Sequence, residues 1–176
     1  MIAIIPARGG SRRIPNKNRR PFHGQPIIAY SIQAASGLFD GIYVSTEDAE
    51  IAEVARQYGS MVIDRPPELA EIGAPDCGTQ EVTRHALETL GITDGDVCCV
   101  YPCAPMLTPS DLYRGYADMR EDYSFVPGWY YWGRAEWFLE SRPLGTPSEG
   151  PPDRYVDIDT EADWLRAEQM YLRMMA

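Results

Sequence analysis

The sequence predicts an α/β fold with a mainly parallel sheet and helices on both faces. Three observations carry this. Short continuous apolar runs, beginning with Ile2–Ile5, read as strands buried on both faces. Helix-start and helix-stop residues bracket the segments between them. The chain has 176 residues, 44% apolar and 24% charged, which suits one globular domain over residues 1–176 rather than a disordered or fibrous chain.

The elements follow in order. After the first strand comes a Gly/Pro/Arg-rich loop, Pro6 to Pro26. Ile27–Ala35 reads as a helix ended by Gly37, and Ile42–Ser45 as the second strand. Ser45 is expected to cap a helix running to Tyr58, with Glu47, Asp48 and Glu50 in the turn where the helix dipole favours acids. Met61–Ile63 is the third strand. A loop with three prolines, Asp64–Asp76, leads to a helix over Gly78–Leu90 closed by Gly91. Val97–Tyr101 is the fourth strand. Thr108, Pro109 and Asp111 mark a helix start by cap, first-turn proline and capping acid, and that helix runs to about Met119. Arg134–Glu140 reads as helix, Ser141–Asp153 as surface connection and Tyr155–Ile158 as strand. Thr160 with Asp163 opens a last helix to Met174. The aromatic run Trp129–Trp132, with Trp137, reads as core and sheet packing. In such sheets ligands bind beyond the carboxyl ends of the strands, here the loops after Ile5, Ile63 and Tyr101.

Composition excludes several classes. The net charge is −10, from 16 basic and 26 acidic residues, so the global footprint of a nucleic-acid binder is missing. No apolar run reaches the roughly 20 residues of a membrane span. Met1–Ala7 runs into Arg8 without a signal-peptide pattern. Cys77, Cys98, Cys99 and Cys103 contain no Cys-x-x-Cys pair and read as free thiols of a reducing cytoplasm.

Against this acidic background, Arg8–Arg20 holds six cations and no acid. Its Gly9-Gly10 pair lets backbone N–H groups approach a ligand, and its cations suit phosphate oxygens. Lys17 is the only lysine beside 15 arginines. On charge alone a solvated basic turn or a small RNA-contact patch explains the loop equally well. It is neither a Walker A loop nor Gly-x-Gly-x-x-Gly, and Ser11 lacks the Gly-x-Ser-x-Gly setting of a hydrolase. Asp157 and Asp159 flank Ile158; on a strand they share one face about 6.6 Å apart. Magnesium would relieve their repulsion. Acids that merely favour the N-terminus of the following helix are the simpler explanation of the pair alone.

Read together, the motifs carry more. Ile4-Ile5-Pro6-Ala7-Arg8-Gly9-Gly10-Ser11-Arg12-Arg13-Ile14-Pro15-Asn16-Lys17-Asn18 resembles the opening of the cytidylyltransferases that activate nonulosonic acids with CTP. Tyr43-Val44-Ser45-Thr46, Arg65-Pro66-Pro67-Glu68-Leu69-Ala70, Tyr101-Pro102-Cys103-Ala104-Pro105 and Asp157-Ile158-Asp159-Thr160-Glu161 continue the resemblance in the family's order. Tyr131-Trp132-Gly133-Arg134-Ala135-Glu136 looks most like the pseudaminic acid branch of these sialic acid-type enzymes. The resemblance implies a Rossmann-like nucleotidyltransferase three-layer fold. It implies a triphosphate cradle of Arg8, Ser11 and Lys17 with the backbone of Ala7, Gly9 and Gly10. It implies cytosine and ribose contacts from Asn18, Arg65 and Thr79, and Mg2+ on Asp157 and Asp159. Tyr101 takes the position that touches the sugar acid, and Arg134 is the candidate for its carboxylate. Arg8, Lys17 and Asp159 would then carry catalysis. The implied partners are CTP and a small acidic sugar, without nucleic acid or membrane.

Two departures stand out. Arg12 replaces the family's usual lysine. Between Phe125 and Gly128, where the family carries a long segment with sugar contacts and a dimerisation arm, only Val126 and Pro127 remain. The oligomeric state is therefore open. A catalytically impaired nucleotide-binding protein is the competing reading. A 3-deoxy-octulosonate enzyme ranks below both, because that relative lacks the Gly-Gly-Ser run.

Overall fold

The computed structural model describes residues 1–71, 78–119, 123–143 and 146–176. Its strands are β1 (Ile2–Pro6), β2 (Pro21–Phe22), β3 (Gln25–Pro26), β4 (Gly41–Thr46), β5 (Met61–Asp64), β6 (Asp96–Val100), β7 (Tyr123–Val126) and β8 (Tyr130–Arg134). Its helices are α1 (Ile27–Ala35), α2 (Ala49–Gln57), α3 (Thr79–Leu90), α4 (Pro109–Ala117), α5 (Ala135–Leu139) and α6 (Glu161–Met175). Six strands form one sheet in the order β5-β4-β1-β6-β8-β7, and β2 and β3 form a small hairpin within the basic loop. The strands β5, β4, β1 and β6 run parallel, while β8 is antiparallel to both β6 and β7.

Period-two alternation builds two cores, one on each face. Ala3 and Ile5 of β1, with Cys98 and Val100 of β6, face α1, α2, α4 and α6. Ile4, Val97 and Cys99 face α3 and α5. This is the expected three-layer α/β arrangement. Cys98, Cys99 and Cys103 are free and buried; Cys77 lies outside the described residues. Burial pushes the thiols of Cys99 and Cys103 up to about 12, which suppresses the reactive thiolate. Among the described residues no helix is long and apolar enough to cross a membrane.

Two expectations need correction. Ser45 does not cap α2. It stays in β4, paired with Pro6 and Ile63, because the ladder runs on through Thr46. Asp48 is the cap instead, accepting from Glu50 N at 2.8 Å and Ile51 N at 3.1 Å. Tyr155–Ile158 is not a strand. It buries Val156 and Ile158 and turns Asp157 outward, so the alternation is real. It pairs with no strand of the sheet, whose order β5-β4-β1-β6-β8-β7 does not include it. The aromatic run forms the β7–β8 hairpin, closed by Pro127-Gly128-Trp129, with Gly128 at φ +69° as a three-residue turn requires. The shortened segment is thus a tight turn.

One buried ion pair joins this turn's surroundings to the sheet. Arg154 clamps Asp111 with two bonds of 2.7 Å, donates to Met106 O at 2.9 Å and lies over Trp129. Asp111 also completes the capping box with Thr108. Burial raises the Asp111 carboxyl, but the bonds from Arg154 and Thr108 outweigh it and hold the group below its usual range. Arg154→Met leaves that carboxylate buried and unpaired. The variant should lose about 3 kcal/mol of unfolding free energy in denaturant titration at pH 7. A group with a depressed folded pKa stabilises above its unfolded value and loses that effect as pH falls through the folded one. The difference from the parent chain should therefore shrink below about pH 4.

Candidate active site

The carboxyl ends of β1, β5 and β6 open into one cavity of about 660 Å³. The loop after β1 supplies Arg8, Ser11, Arg12, Arg13, Lys17 and Asn18. Arg65 comes from the end of β5, Gly78 and Thr79 from the start of α3, Tyr101 from the end of β6, and Asp159 from the segment before α6. Among the described residues, five cations and one carboxylate line this cavity in a chain of net charge −10. A concave site with that imbalance focuses field on an anion, and the N-terminus of twelve-residue α3 adds to it.

The loop is held by bonds that the sequence did not reveal. Asn18 is buried; its amide donates to Arg8 O at 2.8 Å and accepts from the Cys103 thiol at 3.0 Å. Lys17 donates to Ile158 O at 2.6 Å, with the Asp159 carboxylate 3.6 Å away. Arg13 lies 2.9 Å from the same carboxylate oxygen. Arg20 clamps Glu161 with bonds of 2.6 and 2.8 Å and covers Trp164. The basic loop and the start of α6 are therefore fastened together across 141 residues of sequence. The predicted Thr160–Asp163 capping box forms, and Asp163 also accepts from Asp159 N at 3.2 Å, which sets where Asp159 points.

The other candidates fall into two groups. Arg65, almost fully buried, donates to Ser45 O at 2.7 Å beside the cavity. Burial and the Tyr131 hydroxyl at 3.2 Å push the Tyr101 phenol far up, so it is a neutral hydrogen-bonding group. Ala7 is buried and donates to Ser45 O, extending β1. The Gly9 amide does not face the cavity: it donates to Glu47 at 2.7 Å, and any side chain there would strike Asp48. Gly10 opens with Ser11 and Arg12 onto a second, smaller concavity. Arg134 is corrected. Because β8 runs antiparallel to β6, Arg134 pairs with Asp96 at the far end of the sheet, 2.8 Å from its carboxylate. It sits five residues of strand, on the order of 17 Å, from Tyr101.

Tyr131, Cys103 and Glu47 are the site neighbours that sequence reasoning passed over. Only Tyr131 had a signal, the two-residue alternation of its strand. Asp157 lies just outside the cavity lining, against the hairpin turn; a Cβ on Gly128 would sit 2.5 Å from the Asp157 carboxyl carbon. Desolvation there, and the neighbouring Asp159 charge, raise the Asp157 carboxyl. Asp157 and Asp159 are two hard oxygen donors whose like charge Lys17 and Arg13 offset only in part, a donor set that suits a small divalent cation.

The doubly covered sheet, with the cationic glycine loop and the acid pair near one edge, has the nucleotidyltransferase fold. Residues 2–126 match the cytidylyltransferase family, and the chain belongs to it. A pseudaminic acid cytidylyltransferase of Campylobacter jejuni subsp. jejuni serotype O:23/36 is 42% identical over 118 residues, 65% of this chain and 51% of that protein. N-acylneuraminate cytidylyltransferase A of Danio rerio is 30% identical over 223 positions, which take in 97% of this chain and 50% of the relative. That alignment is longer than the 176-residue chain, so segments of the relative have no counterpart here. The chain spans about half the length of these two relatives. The fold is shared with CMP:2-keto-3-deoxy-manno-octonic acid synthetase complexed with CTP. That likeness has a TM-score of 0.73 at 13% identity and covers 98% of each chain.

Proposed function

We propose that the chain couples CTP to a nonulosonic acid of the pseudaminic or sialic type, giving the CMP-sugar and pyrophosphate. The observation that supports this best is the meeting of the basic loop and Asp159 in one cavity, 2.9 Å apart at Arg13. In this reading Arg8, Ser11 and Lys17 hold the triphosphate, and Asn18, Arg65 and Thr79 contact cytosine and ribose. Tyr101 orients the sugar acid. Its C2 hydroxyl attacks the α-phosphorus, a C–O–P linkage forms, the bond to the β-phosphate oxygen breaks, and the hydroxyl proton is lost. The chain's contribution is alignment and neutralisation of developing charge. Asp157 and Asp159 would hold Mg2+, which supplies Lewis-acid neutralisation of the phosphate oxygens when bound. The buried free cysteines support a reducing, cytoplasmic setting.

The three-residue turn at Pro127–Trp129 favours a second reading: a CTP-binding protein whose catalysis is impaired for want of sugar contacts. Pyrophosphate release separates the two. The assay uses CTP, Mg2+ and a panel of pseudaminic, legionaminic, N-acetylneuraminic and 3-deoxy-octulosonic acids. Release with one of the first three supports the enzyme. CTP binding without release from any acid supports the second reading, and release with octulosonate alone reassigns the substrate.

A further inference from the structure

The two cations on Asp159 are bound differently. Lys17 is mostly buried, and its ammonium donates to the Ile158 carbonyl at 2.6 Å, with the Asp159 carboxylate farther off at 3.6 Å. Arg13 makes the closer contact with the carboxylate, at 2.9 Å, but its side chain is 64% exposed. Ion pairs so exposed are weak and exchange readily. A divalent cation seated on the same oxygen, at roughly 2.1 Å, would bring a second positive centre against the guanidinium. The two cannot share Oδ1 without strong repulsion.

We propose that Arg13 is the resident counter-ion of Asp159: it neutralises this carboxylate while no metal is bound and swings away when a divalent cation arrives. The idea rests on the reading of Asp157 and Asp159 as metal ligands. Its physical use is to keep the cavity cationic. A bare acid pair would repel an approaching triphosphate, whereas a pair screened by Arg13 does not. Asp157 has no comparable ion pair among the described contacts.

The test measures Mn2+ binding to the whole chain without nucleotide, by the electron paramagnetic resonance of free Mn2+. Arg13→Gln removes the competitor and should tighten Mn2+ binding about three- to tenfold. Arg13→Lys keeps a competing cation and should stay within about twofold of the parent chain. A purely structural pair predicts the opposite sign, because losing it would loosen Asp159. Unchanged or weaker Mn2+ binding by Arg13→Gln overturns the proposal. In the parent chain, the Nε–H signal of Arg13 should shift on Mg2+ addition; a signal that stays put overturns the proposal without reliance on any variant. Asp159→Asn separates this idea from its premise. If that variant loses Mn2+ while Arg13→Gln gains nothing, the metal reading stands and the counter-ion falls. If it binds Mn2+ like the parent chain, both fall.

Discussion

Asp159→Asn is expected to cut pyrophosphate release by about 10²–10³-fold. The substitution is nearly isosteric, and Asp159 is partly exposed, so packing around it changes little. The charge matters more. Asp159 sits where the basic loop meets the start of α6, with Arg13 at 2.9 Å and Lys17 at 3.6 Å. Without it, the proposed metal keeps only Asp157, and the charge developing on the leaving pyrophosphate is less well neutralised. Thermal unfolding should move little, because exposed ion pairs contribute about 0–1 kcal/mol. A variant that turns over like the parent chain removes Asp159 from the mechanism.

Lys17→Ala is expected to weaken CTP binding by about 10–100-fold while changing CMP binding little. Those values follow from losing one charge-assisted bond to the outer phosphates, about 1.5–3 kcal/mol. Calorimetry with both nucleotides checks it. The comparison is informative because Lys17 is also a structural tie, its ammonium holding the Ile158 carbonyl at 2.6 Å. If that tie dominated, CTP and CMP would weaken together and the variant would be less stable. Selective loss of CTP places the ammonium on the phosphates.

Much of the architecture is legible in the sequence because it is written in local chemistry. The Thr108–Asp111 and Thr160–Asp163 boxes form as expected, since a hydroxyl and a carboxylate three residues apart satisfy two orphan N–H groups within one turn. The loops after β1, β5 and β6 line one cavity because parallel strands bring their carboxyl ends to one edge. Ser45 departs from expectation for a tertiary reason. Its capping chemistry is good, but ladder bonds to β1 and β5 keep the chain extended for one more residue, and Asp48 takes over. Arg134 departs because a motif gives residue order and no strand direction. One reversal, between β7 and β8, sends it to the opposite end of the sheet.

By itself the amino-acid sequence determined the α/β alternation, the helix starts at Thr108 and Thr160, and the clustering of cations in a single glycine loop. Each depends on residues only a few positions apart. The tertiary structure alone decided that Lys17 reaches Ile158, that Asn18 is locked between Arg8 and Cys103, and that the Gly9 amide turns to Glu47. Those contacts join segments 10 to 141 residues apart. They exist because packing two cores against one sheet brings distant loops to the same edge, which no local spacing encodes.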